Sequence, residues 1–335
     1  MRAERGGGIS HTPNRMKTIL FTQFGSPTVL TLVERPMPAC NNHQLLIKIH
    51  AAGLNPIDYK IRNGSSFVAR QLKDHLPSGL GYDFSGVVET IGKEAQDIKI
   101  KIGDAVMGII GLPDHPGSYA EYICITPECI IPKPATLSFL QAAALPTAGL
   151  TVLQALQLAK ISTGQTVLIH AGAGGVGHLA IQLARQLGAT VITTASQRNH
   201  DFLYALGTNR CIDYHKENFV EAINQPVDAV IDLVGGRVGI QSLEILSPTG
   251  YLVTVPTITA EEVIAAAKQK NRRAMGFLKK SNKSDLADLA QSVAEGRLKI
   301  EIDRVFQLSE AAAAHEYLES GHVRGKLVFS IKEVY

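Results

Sequence analysis

The sequence predicts an α/β protein made of a barrel-like β unit and a doubly wound parallel sheet. Three observations predict it. Up to about residue 135 the apolar residues fall in short runs punctuated by glycine. From about residue 160 strand and helix patterns alternate, which suits right-handed crossovers between parallel strands. Between the first strand and helix of that second part stands the glycine-rich turn Gly172-Ala173-Gly174-Gly175-Val176-Gly177. At 335 residues, 45% hydrophobic and 19% charged, the chain has the size for about two domains and the apolar content for a large core. Its 33 basic and 30 acidic side chains leave a net charge of +3, too small to argue for nucleic acid or an anionic membrane as partner.

Residues 1–15 hold Arg2, Arg5 and Arg15 against Glu4, and so carry +2 of the +3. They lack the apolar stretch of a secretory signal. A disordered extension is expected there, with an organellar targeting peptide as the alternative, and folding is expected to begin at Met16. No run of ~18 apolar residues is present, so no membrane span is expected. The four cysteines are scattered. Cys124 and Cys129 are expected as buried thiols, no disulfide framework is expected, and no metal site is expected, because zinc needs three or four converging ligands. A cytoplasmic location is the matching expectation.

The β runs of the first part are Leu45–Ile49, Ser85–Ile91, Ala105–Ile110 and Ala120–Ile123. Helix is expected over Gln141–Leu145 and Thr147–Ala159, where the domain changes. Thr166–His170 is a buried strand. The helix after the glycine turn places Val176, Leu179, Ala180, Leu183, Ala184 and Leu187 on one face and stops at Gly188. Further strands are expected at Thr190–Thr194, Arg210–Asp213, Asp228–Leu233, Tyr251–Val255 and Met275–Leu278, with helices over 259–270 and 284–296. Strand, helix and strand at Arg304–Leu308, Glu310–Glu319 and Lys326–Ile331 would return to cover an edge of the first unit. The expected division is therefore 16–140 with 297–335, around an inserted 141–296.

The glycine turn follows a buried strand and opens an amphipathic helix, the context in which G-x-G-x-x-G binds a dinucleotide. Gly172 permits the tight turn, Gly174 lets a pyrophosphate approach the backbone, and Gly177 lets helix and strand pack closely. Gly175 and Val176 belong to the same anion site at the helix start. The next strand ends at Ser196, followed by Arg198 and Asn199, where an NAD-specific site would carry a carboxylate for the ribose 2′-OH. A hydroxyl and a guanidinium suit a 2′-phosphate, so NADPH is the expected cofactor. His170 and His178 flank the loop without partners at ligand spacing, and both are expected to be structural.

Five ordered segments carry a resemblance: Ala51–Lys60 with its Asn55-Pro56-Ile57-Asp58-Tyr59-Lys60, Gly81–Val88, Gly103–Val106, Gly117–Tyr122 and Ala171–Gly177. Together, over Met16 to about Ile331, they resemble the medium-chain dehydrogenase/reductase superfamily, in its zinc-independent NADPH:quinone oxidoreductase and 2-alkenal (enone) reductase branch. The resemblance implies a GroES-like β-barrel-type catalytic domain and a Rossmann domain. Zinc-dependent relatives carry a Cys where this chain has Asn55 and a His where it has Tyr82, and a four-Cys lobe is missing. It implies hydride transfer from NADPH to a quinone or α,β-unsaturated carbonyl. Lys60 would polarise the carbonyl and reach the cofactor, and Asn55 would orient the nicotinamide ribose. Tyr59 is a candidate proton donor, with solvent as the other source. By the same resemblance Thr147 and Thr151 lie near the cofactor at the domain junction, Tyr214 flanks the 2′-phosphate, and Val234 and Val255 stand at the sheet edge. Arg324, Gly325 and Lys326 belong to a C-terminal turn that contacts the cofactor or simply enters a strand. A homodimer is consistent with relatives. Two alternatives stay open: an NADPH-binding, crystallin-like or regulatory protein with little turnover, and a zinc-free alcohol or ketone reductase.

Overall fold

A computed structural model of the chain describes residues 14–95, 99–111 and 117–331. In chain order the elements are β1 (Arg15–Leu20), β2 (Thr31–Pro36), β3 (Leu45–Gly53), α1 (Pro56–Arg62), α2 (Phe67–Leu72), β4 (Asp83–Ile91), β5 (Ala105–Ile109), β6 (Tyr122–Ile125) and β7 (Ile130–Pro132). Helices α3 (Phe139–Ala144) and α4 (Pro146–Leu158) lead to β8 (Thr166–Ile169), α5 (Gly177–Gln186), β9 (Thr190–Thr194), α6 (His200–Ala205), β10 (Arg210–Ile212), α7 (Phe219–Ala222), β11 (Val227–Asp232), α8 (Gly236–Ser242), β12 (Leu246–Thr254), α9 (Ala260–Gln269), β13 (Arg273–Gly276) and α10 (Lys283–Ala294). The chain then returns through β14 (Ile302–Gln307), α11 (Ala311–Glu319) and β15 (Lys326–Ser330).

A seven-stranded sheet runs β14-β15-β3-β4-β5-β7, with β6 also paired to β3. At the end of β3, Gly53 lies opposite Val328 of β15 on one side and Asp83 of β4 on the other. The C-terminal strand is thus stitched beside the first long strand, which brings Asn55, Asp83 and Lys326 to one sheet end. The second sheet runs β10-β9-β8-β11-β12-β13, all parallel, with the order reversing between β8 and β11. Ligands of such sheets bind outside the carboxyl ends of the strands at that reversal.

The first unit is not all β. Helix α1 begins at Asn55 with Pro56 in its first turn, and the Asp58 carboxylate accepts from the Asn55 backbone N–H at 2.7 Å. That is a capping interaction, so Asn55-Pro56-Ile57-Asp58 is a helix start as well as a motif. Ser66 caps α2 by accepting from Ala69 N. Helix α5 buries Leu179, Ala180, Ile181 and Ala184, the leucine and the isoleucine each contributing about 1.5–3 kcal/mol. Leu187, expected on that face, is 44% exposed, because the helix ends one residue before it.

The expected extension is corrected at its end. Residues 1–13 lie outside the described residues, as do 332–335, but Arg15 opens β1 and its guanidinium donates to Glu34 O at 3.0 Å. The cysteines are corrected too. Cys124 is not a free thiol: it is disulfide-bonded to Cys40, with Cα atoms 5.3 Å apart, while Cys129 and Cys211 are free. Scattered spacing hid the pair because the fold alone brings residues 84 apart together. No helix of the described residues is long and apolar enough to cross a membrane.

Candidate active site

The glycine-rich turn joins β8 to α5, and its backbone is close-packed where the motif needs it. A Cβ on Gly172 would fall on the Thr193 hydroxyl, and one on Gly177 would fall on the Ala171 carbonyl. Gly174 has room, a Cβ there coming 3.3 Å from Ala171 O. Two buried histidines brace the loop. His170 is hydrogen-bonded through its ring nitrogens to Thr194 (2.9 Å) and Ser242 (2.8 Å). His178 engages Gly174 O at 2.9 Å and accepts from Glu301 N at 3.2 Å. Burial drops their pKa values to about 3 and about 4, so both are neutral structural groups.

At the sheet end a buried polar network forms around Asn55. Its Oδ1 accepts from Lys326 Nζ at 2.5 Å, and its Nδ2 donates to Asp83 at 2.9 Å. Lys326 Nζ also donates to Leu54 O at 2.6 Å. Asp83 receives the Thr147 hydroxyl (2.6 Å) and backbone N–H (3.0 Å), tying the first sheet to α4. Asp58, fully buried behind this layer, accepts from Tyr119 OH at 2.8 Å. Burial lifts its pKa to about 7, with Asn55 and Tyr119 donating against that rise. Burial likewise lowers the Lys326 ammonium from its ordinary value, Asp83 and Asp58 opposing.

Between this network and the glycine turn lies a cavity of about 380 Å³, within the range of small-molecule sites. It brings together many of the residues expected from the sequence. Asn55, Lys60, Thr147, Thr151, Gly174, Gly175, Val176, Gly177, Val255, Gly325 and Lys326 all line it. Gly325 N–H donates to Ala173 O at 2.7 Å, so the C-terminal turn touches the glycine loop directly. Lys60 is half-buried on α1, and burial lowers its pKa. Tyr59 is not in the cavity wall. One position along a helix is a rotation of about 100°, and that turns Tyr59 toward Glu319, which together with burial raises its pKa. Val234 is 48% exposed and its backbone N–H donates to Asp232, while Leu233 takes the place on the cavity wall.

A second cluster sits at the ends of β9 and β10. Ser196 donates to Tyr214 OH at 3.3 Å and is 3.2 Å from His215 Nε2. Arg198 donates to His322 O, and Arg324 donates to Asn199 Oδ1 at 2.9 Å and to Arg198 O at 3.2 Å. Two guanidiniums, a hydroxyl, a phenol and an imidazole thus gather where a ribose phosphate would lie. Sequence reasoning missed His215 and Lys279. His215 sits beside Tyr214, which was singled out, whereas Lys279 lies in a loop without a motif.

A glycine turn at the reversal point of a doubly wound sheet, facing a cavity lined by lysines of a second unit, defines a nicotinamide-dinucleotide oxidoreductase. The comparisons agree. Residues 41–135 match the family described as alcohol dehydrogenase GroES-like domain, and residues 206–329 match the zinc-binding dehydrogenase family. The chain is 36% identical to a 2-methylene-furan-3-one reductase of Solanum lycopersicum, over 97% of this chain and 81% of that protein. The structure of a quinone oxidoreductase from Coxiella burnetii superposes with a TM-score of 0.93 at 64% identity, covering 95% of this chain and 100% of that one. The Escherichia coli quinone oxidoreductase in complex with NADPH gives 0.84 at 28% identity, covering 94% and 100%. The chain belongs to the medium-chain dehydrogenase/reductase superfamily, in its quinone oxidoreductase and enone reductase branch. It is an oxidoreductase.

One of the matching families is described by zinc, and the residues here do not fit that ion. Among the described residues no three His, Cys, Asp or Glu converge as ligands. At the junction the Lys326 ammonium already donates to Asn55 Oδ1, so a dication there would meet a buried positive charge. A dinucleotide fits: the cradle at Gly174 is open, a Cβ there meeting only Ala171 O, and it stands at the start of a helix, where anions are favoured.

Proposed function

We propose that the chain uses NADPH to reduce quinones or α,β-unsaturated carbonyl compounds, without a metal. The observation that carries this reading is the cavity itself. The glycine turn forms one wall, the Lys60 ammonium reaches in from another without accepting partner among the described residues, and Phe67, Ile110 and Phe277 supply apolar surface between them. Bound NADPH would supply a hydride at nicotinamide C4. Lys60 then places a fixed positive charge at the oxygen on which an enolate or hydroquinone charge develops, which is where such a charge is most effective. Its burial-lowered pKa also eases donation of the proton that completes the reduction, with solvent restoring it. Asn55 is held from both sides, by Lys326 and Asp83, and so presents a rigid edge to the nicotinamide ribose. Conjugated acceptors spread the incoming charge, so a lysine can serve where an isolated ketone would call for a Lewis acid.

Ser196 after β9, within hydrogen-bonding distance of Tyr214 and His215 and two residues from Arg198, supports NADPH over NADH. Each charge-assisted hydrogen bond to a 2′-phosphate contributes about 1.5–3 kcal/mol, so two would favour NADPH by roughly a hundredfold or more. The test is NADPH and NADH oxidation measured against quinones, 2-alkenals, enones and simple ketones, on the wild type and on a Ser196→Asp, Arg198→Ala variant. Turnover of the conjugated acceptors with NADPH, and a swing toward NADH in the variant, is expected. Tight NADPH binding without turnover of any acceptor would favour a regulatory or crystallin-like role, and efficient reduction of simple ketones would favour the ketone reductase.

A further inference from the structure

The cavity holds more positive charge than reduction of one carbonyl uses. Lys326 is committed to Asn55 and Leu54. Lys60 and Lys279 also line the wall, and neither donates to any described residue. Lys279 is held in place from outside. The next residue, Lys280, is clamped to α4 by a two-way amide contact, Gln154 Nε2 donating to Lys280 O (2.8 Å) and Lys280 N to Gln154 Oε1 (3.0 Å). Its neighbours Phe277 and Leu278 face the same cavity. The one carboxylate that attracts Lys279 is Asp83, whose oxygens are already taken by Asn55 and Thr147. A half-buried ammonium on a loop fixed from outside, with no accepting partner among the described residues, can pair with an anionic group of a ligand in the cavity.

The topology says which anion it is not. The cofactor's pyrophosphate belongs at the turn after β8, and the ribose phosphate cluster sits at β9 and β10. Lys279 follows β13, the strand at the opposite end of the sheet, three places beyond β8 in the order. It therefore stands away from both phosphate positions, in the half of the sheet over which the nicotinamide would lie and a substrate would meet it.

Resting on the proposed reduction, we infer that the preferred substrates are enones carrying a carboxylate, with Lys60 at the carbonyl oxygen and Lys279 pairing with the carboxylate. Lys279 is then the residue that sets specificity. Apolar side chains between the two lysines would hold the hydrocarbon linking the two groups.

The experiment uses alkyl vinyl ketones ending in a carboxylate, over a series of spacer lengths, each beside its methyl ester. Both are assayed with NADPH on the wild type, on Lys279→Met and on Lys279→Arg. A charge-assisted pair predicts that the wild type prefers the acid by roughly tenfold to a hundredfold in kcat/KM at the best spacer, mainly through KM. That preference should fall to about one in K279M and persist in K279R. Equal use of acid and ester by the wild type would overturn the inference while leaving the proposed function standing. So would an unchanged acid preference in K279M, or a loss of NADPH affinity in that variant, which would make Lys279 a cofactor contact. Failure of the wild type to reduce any ester or acid would instead count against the proposed function itself.

Discussion

Lys326 Nζ lies 2.5 Å from Asn55 Oδ1, joining residues 271 apart in sequence at the point where β15, β3 and β4 come together. The ammonium is fully buried, with two neutral acceptors in contact and two carboxylates, Asp83 and Asp58, near enough to feel its charge. Lys326→Met keeps most of the stem but strands Asn55 Oδ1 and Leu54 O and leaves the two acids without their cation. Removing one member of a buried charged network costs about 3–5 kcal/mol. Urea unfolding should show a loss of that order, together with a fall in kcat/KM as Asn55 loosens. A change below ~1 kcal/mol would mean that the lysine is not the keystone of this junction.

The buried titratable groups set the shape of stability against pH, and two opposing signs must be combined. His170, His178 and His315 have pKa values lowered by burial to about 3, about 4 and about 3. Below ~6.5 the unfolded chain binds protons that these folded residues refuse, so their contribution is present above that pH and lost as pH falls. Asp58 works the other way. Its pKa is raised to about 7, so its contribution is complete below its ordinary value of 3.8 and is lost as pH rises toward 7. Between ~4 and ~6.5 three histidines outweigh one aspartate, and stability should rise with pH by at most ~2.7 kcal/mol per unit from these groups. Among the described residues His315 has no hydrogen-bond partner for either ring nitrogen, so His315→Leu is expected to make that slope shallower by about 1.4 kcal/mol per unit. Chemical denaturation across this range reads the slope directly, and an unaltered one would show that His315 titrates normally.

The parts of the fold that were legible in the sequence are those set by local pattern. The strands of the parallel sheet up to β12 announce themselves by apolar β runs, and the Gly172–Gly177 turn by its place between strand and helix. Strand β13, by contrast, is Arg273–Gly276, two residues before the expected Met275–Leu278, because it carries no β-branched or aromatic residue and is set by pairing with β12. Helices α1 and α2 were missed because their signal is a cap, at Asn55 and Ser66, rather than an apolar period. The Cys40–Cys124 bond and the Asp58–Asn55–Lys326 network were illegible for a different reason. Both depend on strand register between distant segments, which no local window contains. Resemblance placed Lys60 on the cavity wall, yet it could not place Lys279, whose loop carries no motif and acquires meaning only from what it faces.

Two glycines of the turn should respond differently to the same added methyl. Gly177→Ala puts a Cβ onto the Ala171 carbonyl and against the Gly172 backbone, none of which can yield. Loss of the native turn is expected, with a destabilisation of about 1–3 kcal/mol, visible as a lowered unfolding midpoint. Gly174→Ala meets only Ala171 O at 3.3 Å, a contact relieved by a small shift. Its methyl instead faces the space that a pyrophosphate would fill. Stability should change by less than ~1 kcal/mol while cofactor affinity falls by roughly tenfold or more. Fluorescence titration with NADPH alongside thermal melts separates the two, and equal affinity losses without a stability difference would refute the assignment of roles.

The disulfide gives the sharpest test of the first unit. Cys40 follows β2 and Cys124 lies in β6, so the bond ties the edge ribbon to the sheet beside Met16, Leu46 and Tyr122. Closing a loop of 84 residues restricts the unfolded chain, and such bonds contribute about 2–4 kcal/mol. Cys40→Ser is therefore expected to lower unfolding free energy by about that amount, and Cys129→Ser, at a free half-buried thiol, by less than ~1 kcal/mol. Alkylation of the native protein without reductant should modify Cys129 first. Cys211 should react slowly, since burial pushes its thiol up to about 11 and so keeps it protonated. Cys40 and Cys124 should become reactive only after reduction. Because cytosolic thiol buffers keep most such pairs reduced, persistence of this bond under a glutathione poise would show that the folded ribbon shields it. Labelling of Cys40 and Cys124 without any reductant would show that the two strands meet as thiols, and Cys40→Ser should then cost no more than Cys129→Ser.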